Sequence, residues 1–177
     1  QIKEISQEKF VHIGNHSYSH EYLVDKTNNE IINDINLATK DLEVNLGYNS
    51  PFFSYPFGEY SNSFKNIVKE LGFKYAFGQH SGVTDVTKDF YELPRFSINE
   101  KYGELERFKL ILKTIPLKYK IIIPEERYIN NNNNPPNVVI EFLDKIKNIK
   151  LLNCYSNELN SWRKSKINYI NKFKIEI

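Results

Sequence analysis

The chain has 177 residues, 24 Lys and Arg against 22 Asp and Glu, with 40% hydrophobic and 14% aromatic residues. That length fits one globular domain, or one with part of another, and so many aromatic residues exclude a disordered chain. A net charge of +2 with both signs interspersed leaves no broad basic footprint, so no nucleic-acid partner is expected, and no apolar run approaches the ~18 residues of a membrane span. Cys154 stands alone, which forbids an internal disulfide. The sequence starts at Gln1 without Met and stops inside the alternating run Lys172–Ile177, so it is read as an internal piece of a longer polypeptide.

In chain order, a brief helical stretch around Ile2 to Lys9 precedes a short strand at Val11 and Ile13, which runs through Gly14 into the loop His16-Ser17-Tyr18-Ser19-His20. Thr27 and Glu30 form a capping box, Ile31, Ile35, Ala38, Leu42 and Leu46 recur at helical spacing, and Gly47 sits where a C-terminal cap belongs. Phe52, Phe53 and Tyr55 read as a buried strand ended by Pro56 and Gly58, and Ser61 or Ser63 caps a helix that runs to Leu71 and stops at Gly72. Phe73 to Phe77 is the next strand and Gly78–Gly82 a loop. Leu93 to Ile98 is a further strand, and Glu104 to Lys113 a helix with Leu105, Phe108 and Leu112 on one face. Strands alternating with helices at this spacing predict an α/β domain with a parallel sheet, whose site lies at the carboxyl ends of the strands. The Asn-rich segment ending in Pro135-Pro136 reads as a linker or exposed loop. The expected division is a domain over 1–129, a linker over 130–137 and a β-rich extension over 138–177, with strands at Val138–Leu143, Leu151–Tyr155 and the terminal run.

His16 and His20, at i and i+4 after a strand, are spaced to share one metal ion. A catalytic zinc-type site takes three protein ligands and keeps a position for water, so a carboxylate from elsewhere is required.

The words around this pair carry more. Ile13-Gly14-Asn15-His16-Ser17-Tyr18-Ser19-His20 resembles the H(S/T)xxH metal-binding motif of NodB-type polysaccharide deacetylases, carbohydrate esterase family 4. Phe53-Ser54-Tyr55-Pro56-Phe57-Gly58 resembles their RxPYG motif. Ala76–Gly82 and Leu93-Pro94-Arg95-Phe96 are similar to a bacterial branch of that family, and the tail from Asn137 resembles the β extension of that branch. The resemblance implies a distorted (β/α) barrel, incomplete at its N-terminus and followed by the start of a small β-rich extension. The implied activity is metal-dependent removal of acetyl groups from an N-acetylated polysaccharide, with zinc as the divalent ion and export to the envelope or beyond. Its third ligand and general base come from a TFDDG motif, which is expected upstream of Gln1.

Residue by residue, the resemblance implies His16 and His20 as metal ligands and the backbone N–H of Phe57 as oxyanion donor. Two positions depart from the pattern: Ser54 replaces the motif arginine, and no histidine follows His80 to serve as the late general acid. Arg95 is the candidate to hold the catalytic carboxylate instead, and His80 to supply the acid or touch sugar. Tyr55 and Tyr60 are candidates for stacking on a sugar ring. Asp85 and Asp89 read as solvated turn residues. The alternative reading is a carbohydrate-binding pseudoenzyme of the same fold.

Overall fold

The computed structural model describes residues 1–129, 132, 134–158 and 160–177. They fall into two compact units, Gln1–Pro116 and Leu117–Ile177.

In the first unit, α1 (Ile2–Ile5) is followed by a tight 3-10 turn at Leu23–Asp25, α2 (Asn28–Leu46), β1 (Phe52–Ser54), a turn at Pro56–Gly58, α3 (Asn62–Glu70), β2 (Tyr75–Phe77) and α4 (Leu105–Leu112). The helix ends follow the sequence closely. The Thr27 side chain accepts the Glu30 N–H while Glu30 reaches back to the Thr27 N–H, and Gly47 closes α2 in the left-handed conformation at φ 76°. Ser61 caps α3 through the Phe64 N–H at 3.1 Å.

β1 and β2 pair in parallel, Phe53 opposite Ala76. Two single parallel bridges extend this pair on either side, Asn15 to Phe53 and Phe77 to Leu93. Four parallel segments therefore lie in an arc: Gly14–His16, β1, β2 and Leu93. The expected strands at Val11–Ile13 and Leu93–Ile98 are reduced to these bridges. Among the described residues no closed barrel is formed; the unit is a mixed α/β assembly.

Alternation along the arc sorts its side chains. Phe53, Tyr55 and Ala76 point toward the helices and join Ile31 and Ile35 of α2 with Phe64, Ile67 and Val68 of α3 in one buried cluster. The opposite face carries Gly14, His16, Phe52, Ser54 and Phe77. The amphipathic face expected of α4 is present but covered by nothing in the described chain: Leu105, Phe108 and Leu112 are all exposed.

The second unit holds an antiparallel sheet in the order β3-β4-β8-β7 (Tyr119–Ile123, Val139–Phe142, Lys174–Glu176, Asn168–Asn171) and a separate hairpin of β5 (Cys154–Glu158) and β6 (Ser161–Ser165). Phe142 and Ile175 are its fully buried apolar residues among those described. The expected boundary at 130–137 falls later than the observed division, because β3 pairs with β4 and belongs to the second unit. Asn130, Asn131 and Asn133 of the expected linker lie outside the described residues.

Candidate active site

The histidine loop is built on Asn15. Its N–H donates to the Phe52 carbonyl at 2.9 Å, and its own carbonyl accepts the Ser54 N–H at 2.8 Å, which locks the segment against β1. Its side chain is buried and fully used: Nδ2 donates to the Ile35 carbonyl and to Thr39 Oγ1 on α2, and Oδ1 accepts the Ser17 N–H. A buried amide is stable only when satisfied in this way, so Asn15 ties the loop both to the sheet and to the helix behind it. Asp34, also on α2, accepts the N–H groups of Tyr18 and Ser19 at 2.8 and 3.1 Å. Between these anchors Ser17 and His20 adopt positive φ, 68° and 53°.

The result brings the two imidazoles together, with ring centroids 4.9 Å apart. His16 Nδ1 lies 2.7 Å from the Ser54 carbonyl. A carbonyl only accepts, so the proton sits on Nδ1 and the Nε2 lone pair is left for a ligand; a backbone carbonyl behind a metal-binding histidine is the usual way to fix tautomer and ring direction. Donor chemistry and spacing thus fit one divalent ion. Among the described residues, no third His, Cys, Asp or Glu completes the group.

The RxPYG-like segment turns sharply beside this pair. Phe57 is left-handed at φ 56° and Gly58 at 78°, and a Cβ on Gly58 would come within 2.4 Å of the Gln79 Cβ, so only glycine allows the turn to press on that neighbour. The Phe57 ring lies against His20, centroids 4.8 Å apart.

On the inner face of the arc a cavity of about 470 Å³ is lined by His12, His16, Phe52, Ser54, Phe77 and Arg95, among others. Two polar atoms here are buried without a hydrogen-bond partner, Ser54 Oγ and Arg95 Nε. A guanidinium with such an atom at a cavity wall is ready to pair with a carboxylate. The Arg95 backbone is set by its N–H bond to the His80 carbonyl at 3.1 Å, and by the Phe77–Leu93 bridge just before it.

Other expected site residues are placed differently. Tyr55 is completely buried, its hydroxyl donating to the Tyr91 carbonyl at 3.1 Å, and burial pushes its phenol far above the ordinary range. Tyr60 packs on it with ring centroids 4.9 Å apart and is itself buried. Both are core residues, and neither offers a face to a sugar; the strand alternation that turns Ser54 to the cavity turns Tyr55 away from it. His80 is exposed and is not among the side chains lining the cavity; its imidazole packs where a Cβ on Gly78 would stand. Asp85 accepts the Thr87 N–H and hydroxyl in a local turn, and Asp89 pairs with Lys65 at 3.1 Å, in keeping with their reading as turn residues. Sequence reasoning passed over His12, Asn15 and Asp34. His12 and His16 both line the cavity.

Comparison with known proteins now bears on this geometry. Residues 1–76 match the family model described as polysaccharide deacetylase. Over that stretch the chain is similar to the polysaccharide deacetylases. No curated protein matches the chain. Among solved structures, it resembles a polysaccharide deacetylase from Bacillus cereus, BC0361, with TM-score 0.54 and 19% identity over 63% of this chain and 35% of that one. The Streptococcus pyogenes deacetylase PplD in complex with acetate gives 0.52 and 18%, over 57% and 44%. A de-N-acetylase from Aggregatibacter actinomycetemcomitans gives 0.51 and 14%, over 62% and 51%. At these identities the structures share a fold with the chain, and the chain spans about half or less of their lengths.

Proposed function

We propose that the chain is part of a metal-dependent hydrolase that removes N-acetyl groups from an N-acetylated envelope or secreted polysaccharide, and that its parallel arc is a sector of a distorted (β/α) barrel. The observation that carries this reading is the histidine pair, with His16 Nδ1 held by the Ser54 carbonyl. His16 and His20 hold the ion, zinc being the choice that two imidazoles and a carboxylate favour, and a segment upstream of Gln1 supplies the third ligand and the general base. When bound, the ion polarises the acetamide carbonyl and lowers the pKa of a water.

The chain's own residues do the rest. The Phe57 N–H, presented by its left-handed turn, donates to the oxygen on which negative charge develops. Arg95 takes the place vacated at Ser54 and holds the general-base carboxylate in the cavity, keeping it ionised until it removes the proton from water. Export to the envelope follows from the substrate.

The test is acetate release from N-acetylglucosamine oligomers by the protein that includes the upstream segment, with and without added zinc. Release is expected to need the metal and to fall to background in His16→Ala and His20→Ala. Arg95→Lys is expected to lose turnover and shift the acidic limb of the pH profile, because an ammonium cannot replace the bidentate fork. Oligomer binding with no release under any metal would replace this reading with the pseudoenzyme.

A further inference from the structure

Phe57 combines two costs that a purely structural residue avoids. It is an aromatic residue in the left-handed region, at φ 56° and ψ 1°, a conformation that L side chains rarely adopt. Its ring is also 45% exposed, so the turn gains only part of the burial that a phenylalanine can provide. The same turn that presents the Phe57 N–H also fixes the direction of its ring. It stands between His20, 4.8 Å away, and Tyr22, whose ring centroid lies 5.4 Å from it at an interplanar angle of 38°.

Tyr22 is 43% exposed as well, yet it is not loosely held. The next residue, Leu23, is buried in the core, and the turn Leu23–Asp25 is closed by the Asp25 N–H bond to the Tyr22 carbonyl. Two aromatic rings, each anchored by its backbone, therefore form an exposed shelf that begins at the metal-binding His20. Two carboxylates, Glu59 and Asp25, lie near enough to act on the Tyr22 hydroxyl through their charge.

We infer that Phe57 and Tyr22 form a ring-stacking subsite for a pyranose unit of the polymer next to the sugar being deacetylated, an inference that rests on the proposed function for the identity of the polymer. A pyranose presents one face of C–H groups, which stacks on aromatic rings, and a rim of hydroxyls, which needs polar partners such as the Tyr22 hydroxyl and the Glu59 carboxylate. Those carboxylates repel phosphate-bearing ligands and attract the ammonium of an already deacetylated hexosamine. The subsite therefore accepts polymer whose neighbouring unit has already lost its acetyl group.

The experiment titrates the metal-stripped chain with an N-acetylglucosamine pentamer and with its fully deacetylated counterpart, followed by NMR chemical shifts. Wild type is expected to bind both and to prefer the deacetylated one. Phe57→Ala and Tyr22→Ala are each expected to weaken binding roughly 3- to 10-fold, while Phe57→Tyr and Tyr22→Phe retain most of it. An unchanged spectrum of the core in the two alanine variants separates loss of the shelf from loss of the fold. No binding by wild type, or equal binding by wild type and both alanine variants, overturns the subsite. Because the probe is binding without metal, ring-dependent binding in a protein that never releases acetate leaves the subsite standing and removes the proposed hydrolase. Acetate release with KM unchanged in both alanine variants does the reverse.

Discussion

In the Gln1–Pro116 unit, two helices cover one face of a parallel arc, and eleven residues from Leu23 to Ala76 form a continuous buried cluster. In the Leu117–Ile177 unit, Phe142 and Ile175 reach full burial among the described residues, and Trp162, Leu151 and Tyr155 stand exposed. Both units contain aromatic and β-branched strand residues, so composition alone does not separate them. The difference lies in layering: a parallel segment buried by helices on one face leaves its other face, and the loops after its strands, free to be shaped into a site. A small antiparallel sheet with so few buried apolar residues among those described has little rigid core on which to hold one.

The largest expected effect follows from that contrast. Phe53 is fully buried at the centre of β1 and makes ring contacts with Tyr55, Phe64 and Phe73. Phe53→Ala is expected to destabilise the first unit by about 3–5 kcal/mol, whereas Phe142→Ala costs less because fewer buried neighbours enclose it. Hydrogen exchange that locates the loss of protection checks both, and an equal or larger loss from Phe142→Ala would break the comparison.

An intermediate effect is expected at Lys65, which joins α3 to the segment before Arg95 by pairing with Asp89 and Glu92. Burial of Lys65 disfavours its charge, but hydrogen bonding and attraction from Glu92 and Asp89 outweigh it and hold the pKa above the ordinary 10.5. A raised folded pKa gives stability that is complete below the unfolded value and fades as pH rises through the folded one. Lys65→Met is therefore expected to cost about 1–3 kcal/mol at neutral pH, and the gap to wild type should close only above about pH 10.5 in urea melts. A gap that closes near neutrality would mean that the cation is not the stabilising element.

The smallest effect is expected at the capping box. Thr27→Ala should remove about 1 kcal/mol from α2, measured by thermal unfolding. No loss would show that the packing of Ile31 and Ile35 fixes the start of the helix without help.

Much of the first unit was legible because local chemistry and tertiary need agree there. Thr27, Gly47, Ser61 and Gly72 mark real helix ends, and His16 and His20 meet as their spacing requires. What was not legible depended on which face a residue takes. Tyr55 and Tyr60 resemble sugar-stacking residues in sequence, but alternation along β1 and packing against α3 put them in the core. Tyr22, which does reach the surface beside His20, lies outside any strand or helix pattern. In the second unit β6 and β7 escaped notice because the Lys- and Asn-rich Ser161–Asn171 stretch offers no clean alternation of apolar residues; these strands are defined by pairing rather than by propensity.

The central claim is that His16 and His20 share one divalent ion. Equilibrium dialysis against zinc with metal analysis of the protein that includes the upstream segment, comparing wild type with His16→Ala and His20→Ala, tests it most directly. The expected result is one ion in wild type and an affinity lower by at least about 10- to 100-fold in each variant, since loss of a ligand should exceed the effect of losing a residue that only orients one. Unchanged stoichiometry and affinity in both variants would contradict the account.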